Sequence, residues 1–263
     1  MLLQISNLDI SYSKNNKPTV QDVNFTLNEG EILTIVGESG SGKTTVIRAI
    51  LNVLPGGGYV SKGDMIFEGH NLLELDSSGW RSLRGKNISM IFQDSGNMMN
   101  PVQTIGKQFV EYIQVHSDLN KKDAYDMAIE KLNLMNLPNP ENIMNSYTFE
   151  LSGGMRQRVG IAMAITFQPK LLLADEPTSA LDVTTQAQIV GELMFITRGT
   201  GAAMIMVTHN IGVASYLSDN LMVMSQGRVV EYGKTQDVIN NPQAEYTKTL
   251  LESVPEIGGR RYI

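Results

Sequence analysis

The sequence predicts an α/β fold, and three observations carry that prediction. Short, near-continuous apolar runs of the kind that form buried strands, "EILTIVG" (Glu31 to Gly37), "KLLLADEP" (Lys170 to Pro177) and "AAMIMVTH" (Ala202 to His209), are each followed by a helix-like segment. The first run passes through a glycine loop, "GESGSGKT" (Gly37 to Thr44), into a helical Thr44 to Val53. Between Ser95 and Phe167 the pattern changes to apolar residues three and four apart, which reads as a helical insertion.

The remaining elements follow in order. Leu3 to Tyr12 and Val20 to Leu27 alternate apolar and polar residues as strands do. "LPGGGYVSKGDMIFEG" reads as turn chemistry followed by a short strand, Asp64 to Glu68, and "NISMIFQD" supplies a buried strand at Ile88 to Phe92. Within the insertion, "TIGKQFVEYIQVH" and "KKDAYDMAIEKLNLMNL" read as amphipathic helices. Two short strands around "VMSQGRVVEYG" and a helical "AEYTKTLLESV" complete the chain, which shows no internal repeat or low-complexity tract.

Composition narrows the function. A chain of 263 residues buries roughly 70–75% of its unfolded surface, enough for one large domain. No stretch reaches the ~18 apolar residues of a membrane-spanning helix. The alternating N-terminus reads as a strand and not a signal peptide, an expectation that places the chain in the cytoplasm. With no cysteine, disulfides, thiolate metal sites and cysteine nucleophiles are excluded. A net charge of −6 argues against broad binding to nucleic acid. The 15 methionines are scattered through apolar segments and read as core filler.

The chemistry sits in a few motifs. "GESGSGKT" matches the phosphate-loop pattern G-x-x-x-x-G-K-[ST] between a predicted strand and a predicted helix. Its glycines let backbone N–H groups approach phosphate, Lys43 reaches the β- and γ-phosphates, and the Thr44 hydroxyl is placed to ligate Mg²⁺. In "LLLADE", Asp175 ends an apolar strand where it could hold Mg²⁺ through water, and Glu176 follows as a candidate base for the attacking water. Gln93, Asp182 in "SALD" and His209 occupy further predicted strand ends, which converge on the ligand crevice in a doubly wound sheet. His70 and His116, in turn and helix contexts, read as structural. Tyr12 precedes a polar loop, where an aromatic ring could stack on a base. Finally "LSGGMRQR" (Leu151 to Arg158) sets a serine cap and two glycines ahead of a helix, a second ready anion site.

Together these motifs, in this order, resemble the nucleotide-binding subunit of an ATP-binding cassette (ABC) transporter over almost the whole chain. The resemblance implies a P-loop NTPase fold with a mostly parallel core sheet, an N-terminal antiparallel β subdomain and a helical subdomain. It divides the single domain into residues 1–93 and 168–240 as RecA-like core plus β subdomain, about 94–167 as helical subdomain, and about 241–263 as a short C-terminal extension. It implies ATP and Mg²⁺, with Tyr12 stacking on adenine and Gly37, Glu38, Ser39, Gly40, Ser41, Gly42, Lys43, Thr44 and Thr45 around the phosphates. Thr44, Gln93 and Asp175 would ligate the metal, and Glu176, Gln93 and His209 would serve catalysis. Ser152, Gly153, Gly154 and Asp182 would act across a head-to-tail dimer, the signature loop of one subunit closing on the nucleotide of the other.

The implied partners are a second ABC ATPase (a paralogue, or a second copy), two transmembrane permease subunits and an extracytoplasmic substrate-binding protein, without nucleic acid. The implied place is the cytoplasmic face of the membrane, and residues around Met98 to Phe109 would help form a groove for a permease helix. "QDSGNMMNP" and "EYTKTLLESVP" are similar to the first of two paralogous ATPases in the peptide/nickel importer branch. The absence of a longer cysteine-bearing C-terminal region favours a nickel or metal-chelate importer over an oligopeptide importer. Two other readings share the motifs. A DNA-maintenance ATPase would need a larger insertion and tolerates the acidic charge poorly, and a catalytically silent cassette would not require Glu176, His209 and "LSGGM".

Overall fold

The computed structural model describes residues 1–13, 17–179 and 181–253, with the backbone of 256–257 and 260–261. Along the chain, β1 (Leu3–Ser11), β2 (Val20–Leu27) and β3 (Ile32–Val36) lead into α1 (Lys43–Ile50). Then come β4 (Tyr59–Phe67), β5 (His70–Asn71), α2 (Ser77–Leu83) and β6 (Ile88–Ile91). A helical run follows: α3 (Ser95–Met98), α4 (Ile105–His116), α5 (Lys121–Leu134), α6 (Pro140–Asn145) and α7 (Gly153–Ala164). The alternating pattern resumes with β7 (Leu171–Asp175), α8 (Val183–Thr200), β8 (Ala203–Val207) and α9 (Ile211–Leu217). It ends with β9 (Asn220–Ser225), β10 (Arg228–Lys234), α10 (Thr235–Asn240), α11 (Glu245–Glu252) and a two-strand pair, β11 (Glu256–Ile257) with β12 (Arg260–Arg261). The "SALD" and "LLESVP" readings extend onto Ala180 and onto Val254 and Pro255, which lie outside the described residues.

The chain forms two compact units, Met1–Ser78 with Ala203–Ile263, and Gly79–Ala202. In the first, β2, β1, β4 and β5 make an antiparallel sheet in that order. A second sheet of this unit runs β10, β9, β3, β8, with β3 parallel to both β8 and β9. All five residues of β3 and all five of β8 are buried, as expected of parallel strands covered on both faces. That is why these segments read as continuous apolar runs and not as alternation.

The structure corrects one strand. β4 begins at Tyr59, not Asp64, because the polar "YVSKG" stretch remains paired to β1, with Tyr59 opposite Ser11 and Lys62 opposite Asp9. Gly63 makes this possible: its φ is +96°, and a Cβ there would lie 2.5 Å from the carbonyl oxygens of Ser6 and Asn7. The pairing shifts register at that point, so the glycine marks a bulge within a strand and not the end of a turn.

In the second unit β6 and β7 pair in parallel, Ile91 opposite Ala174. The helices assemble around Phe109, Ile113, Ala128, Leu132, Ile143 and Val159, all buried. Their starts are capped by side chains. The Thr104 hydroxyl accepts from Lys107 N, Asn120 Oδ1 from Lys122 N and Asp123 N, and Ser152 Oγ from Met155 N. Among the described residues no helix is long and apolar enough to cross a membrane.

Candidate active site

The first unit carries the phosphate loop. β3 ends at Val36 and α1 begins at Lys43, so residues 37–42 form a turn between strand and helix, as the motif requires. Gly37 sits where no side chain fits: its φ is +147° and a Cβ would lie 2.1 Å from Met224 O. Gly42, the N-cap of α1, has φ +101°, and a Cβ there would lie 2.8 Å from the Val20 side chain. The turn after β9 also grips the loop, since Gly227 N donates to Ser41 O at 3.1 Å.

Lys43 is 5% exposed and its ammonium turns back into the loop, donating to Gly37 O and Glu38 O at 2.7 Å each. A buried cation inside a glycine loop at a helix start is the donor set a phosphate chain requires. Thr44 follows directly, half-buried, with Thr45 behind it on α1. Ser39 and Gly40 are exposed at the loop's outer turn, and Ser41 is buried. Among the described residues no cluster of three or more His, Cys, Asp or Glu side chains could hold a metal by itself.

Two other predicted residues belong to this unit. Ile35 of β3 pairs with Val207 of β8, so Gly37 and His209, each two residues further on, leave parallel strands at the same end. His209 is exposed there, just before Asn210 caps α9 through Val213 N. Tyr12 follows β1 directly and is half-buried, its ring packed so closely on Gly58 that a Cβ there would lie 2.6 Å from it.

The second unit brings Gln93 and Glu176 together. Each lies two residues beyond a matched pair, Ile91 and Ala174, and Gln93 Nε2 donates to Glu176 Oε2 at 3.4 Å and to Ser179 Oγ at 3.2 Å. Asp175 is 2% exposed at the end of β7. Glu176 itself has φ +44°, in the left-handed region that few non-glycine residues adopt. The turn is closed by Ser179 N and Oγ, both donating to Glu176 O. Ser179 is a contact that sequence reasoning did not identify.

The signature segment starts α7. Ser152 is exposed and is the N-cap, as predicted, and Arg156 folds back to donate to Leu151 O at 2.7 Å. Gly153 has room, its nearest neighbour for an added Cβ being Leu181 at 3.5 Å, whereas Gly154 lies against Thr185, 2.9 Å from a Cβ. Asp182 is spent locally: it caps α8, accepting from Thr185 N at 3.0 Å and from the Thr185 hydroxyl at 2.7 Å. Those bonds, the hydroxyl foremost, hold its carboxyl below the usual carboxylate range.

Gln157 was not singled out from the sequence. It is 4% exposed in α7; its Nε2 donates to Phe92 O at 3.1 Å and its Oε1 accepts from Ser95 N at 3.3 Å. One buried amide therefore clasps the backbone on both sides of the Gln93 turn to the signature helix. The proposed groove segment divides: Met98 and Val102 are exposed, whereas Met99, Ile105 and Phe109 are buried in the helical core. A groove of about 630 Å³ lies beside it, lined by Thr104, Lys107, Val110, Glu111, Tyr125 and Asn145.

Residues 20–179 match the family described as ABC transporter, and residues 230–262 match the oligopeptide/dipeptide transporter C-terminal region. The oligopeptide transport ATP-binding protein OppD of Bacillus subtilis is 42% identical over 259 residues, spanning 97% of this chain and 72% of that protein. The metal-staphylopine import system ATP-binding protein CntD of Staphylococcus aureus is 38% identical over 256 residues, spanning 97% of this chain and 94% of that one. Among solved structures, the dimeric post-hydrolysis state of the ATP-binding cassette MJ0796 bound to ADP and Pi superposes with a TM-score of 0.78 at 26% identity, covering 89% of this chain and 99% of that one. With its phosphate loop, its acidic strand end and its signature helix in one sequence, the chain belongs to the ABC transporter ATP-binding family.

Proposed function

We propose that the chain hydrolyses ATP to energise an ABC importer of peptides or metal chelates, nickel among them, from the cytoplasmic face of the membrane. The observation that carries this reading is the buried Lys43 ammonium inside the glycine loop 37–42, at a strand-to-helix junction that suits a phosphate chain. The names of the relatives support the cargo class: oligopeptide transport for OppD and metal-staphylopine import for CntD.

In this reading Tyr12 stacks on the base, while the backbone from Gly37 to Thr45 and the Lys43 ammonium take the phosphates. Thr44, Asp175 and Gln93 would hold Mg²⁺, which when bound would neutralise charge on the phosphate oxygens. Glu176 accepts the proton of the attacking water, and its hydrogen bond from Gln93 supports that role by orienting the carboxylate. His209 leaves β8 at the end where β3 enters the loop, which supports a role in sensing the γ-phosphate.

The helix start at the exposed Ser152 and the half-buried Gly153 serves the nucleotide of a second ATPase subunit, a paralogue or another copy, a role supported by the dimeric relative. About half an elementary charge at a helix N-terminus stabilises phosphate chiefly once water is excluded, which packing of two subunits achieves. Loss of the γ-phosphate releases that contact, and two permease subunits convert the opening into transport of cargo delivered by a binding protein. The helical lobe of about residues 94–167 would carry the permease contact, through Met98 and Val102.

The test is a pair of variants. Lys43→Ala should weaken binding of a non-hydrolysable ATP analogue in a calorimetric titration, and Glu176→Gln should retain binding while losing turnover. Normal hydrolysis by either would remove the assignment.

A further inference from the structure

The C-terminal helix α11 reaches the phosphate loop through one hydrogen bond. The Glu38 N–H donates to the Tyr246 hydroxyl oxygen at 3.1 Å. The peptide unit joining Gly37 to Glu38 is thereby held at both ends: its carbonyl accepts from Lys43 Nζ at 2.7 Å, and its N–H is taken by Tyr246. The C=O and N–H of a planar trans peptide point in opposite directions, so two partners on opposite sides fix the rotation of that plane. The following carbonyl, Glu38 O, also accepts from Lys43 at 2.7 Å. The orientation of this peptide therefore decides where the ammonium finds one of its two acceptors.

Tyr246 is firmly placed. Its ring and Leu250 pack on a buried cluster of Val36, Ala214, Leu221, Val223 and Val238, and Val36 is the last residue of β3 before the loop. The N-terminal end of α11 is anchored by the Glu231 carboxylate of β10, which accepts from Gln243 N at 2.8 Å and Ala244 N at 3.1 Å. The helix lies within the segment matching the oligopeptide/dipeptide transporter C-terminal region. That segment thus reaches the phosphate loop through the Tyr246 hydroxyl.

We propose that Tyr246 is a positioning residue for nucleotide binding: its hydroxyl holds the Gly37–Glu38 peptide so that Gly37 O meets the Lys43 ammonium. This rests on the reading of residues 37–44 as the ATP site. The hydroxyl makes no contact with nucleotide in this role, so it acts through Lys43 and should move ATP affinity and KM while leaving kcat in place.

The experiment uses the full chain and ATPγS. Tyr246→Phe keeps the ring and removes only the oxygen. It should weaken ATPγS binding and raise KM for ATP about three- to tenfold, the effect of one net hydrogen bond, with kcat within about twofold and an unchanged melting midpoint. By NMR, the Glu38 amide of the nucleotide-free variant should exchange with solvent faster than in the unaltered chain. Leu250→Ala, which loosens the same packing without touching the loop, should lower the melting midpoint and leave affinity within about twofold. Unaltered affinity in Tyr246→Phe, unaltered Glu38 exchange, or an equal loss of affinity in Leu250→Ala would each overturn the proposal. Lys43→Ala separates the two layers. If affinity survives that change, the loop is not the ATP site and both readings fall; if it is lost while Tyr246→Phe binds normally, only the role of the tyrosine falls.

Discussion

The phosphate loop and the signature segment are both glycine-bearing turns that start a helix, yet they are built oppositely. At α1 the N-cap is Gly42, without a side-chain capping bond, and the loop holds its own cation, Lys43, buried against two of its carbonyls. At α7 the cap is Ser152, exposed and satisfied by Met155 N, ahead of a half-buried first turn, and the nearby Arg156 turns away to the Leu151 carbonyl. A site equipped with its own cation serves a ligand of its own chain. A helix start without one suits a ligand whose charge is largely neutralised elsewhere, which is what a partner subunit would present.

The largest effect expected falls on neither loop. Glu176→Gln should lower turnover by roughly 10²–10⁴-fold, the usual contribution of a positioned general base, with nucleotide affinity retained; single-turnover hydrolysis measures it. Lys43→Ala should follow, weakening ATPγS binding by about 10–100-fold, as expected for loss of a charged hydrogen-bonding group. The matching change at the other loop, Ser152→Ala, should leave that affinity untouched and cost only about 1 kcal/mol of stability through the lost cap, read by denaturant unfolding. Equal losses of affinity from Lys43→Ala and Ser152→Ala would erase the distinction between the two loops.

Gln157 sharpens the comparison, because it joins the signature helix to the Gln93 turn within the second unit. Gln157→Ala leaves Phe92 O and Ser95 N without this partner and should cost about 1–3 kcal/mol. A charge control lies within the helical region of the second unit. His116 packs between Tyr112 and Phe167, and burial, aided by Lys86, lowers its pKa below the ordinary 6.5. The unfolded chain therefore binds this proton more readily than the folded one, so stability is present above the unfolded pKa and falls as the pH drops below it. His116→Phe should flatten that acid-side slope in a series of thermal melts while leaving the affinity of the phosphate loop unchanged.

The parts of this site that were legible in the sequence are those whose meaning is contiguous. The loop 37–44, the end of β7 and the Ser152 cap are each a run of neighbouring residues whose chemistry does not wait for the fold, and the buried strands betrayed themselves by unbroken apolar composition. Gln157 and Tyr246 were illegible for the opposite reason. Each acts on backbone atoms far away in the chain, 62 and 65 positions for Gln157 and 208 for Tyr246, and a polar residue on a helix carries no sign of such a contact. The start of β4 was hidden differently, since the bulge at Gly63 gives a strand the composition of a turn.

In the proposed division of labour, the loop at α1 would serve this chain's nucleotide and the loop at α7 the partner's. Gly153→Asp tests it most directly. The position has room for a side chain, and an acid in the first turn of a helix favours folding, so the variant chain should remain intact. Its carboxylate would, however, face the γ-phosphate held by the partner. In an assembly pairing this variant with an unaltered second ATPase chain, site-resolved hydrolysis should show this chain's own loop binding ATPγS normally while turnover at the partner's site falls by about 100-fold, as several kcal/mol of like-charge contact at low dielectric would produce. Loss of this chain's own ATP affinity, with the partner's site working normally, would contradict the account.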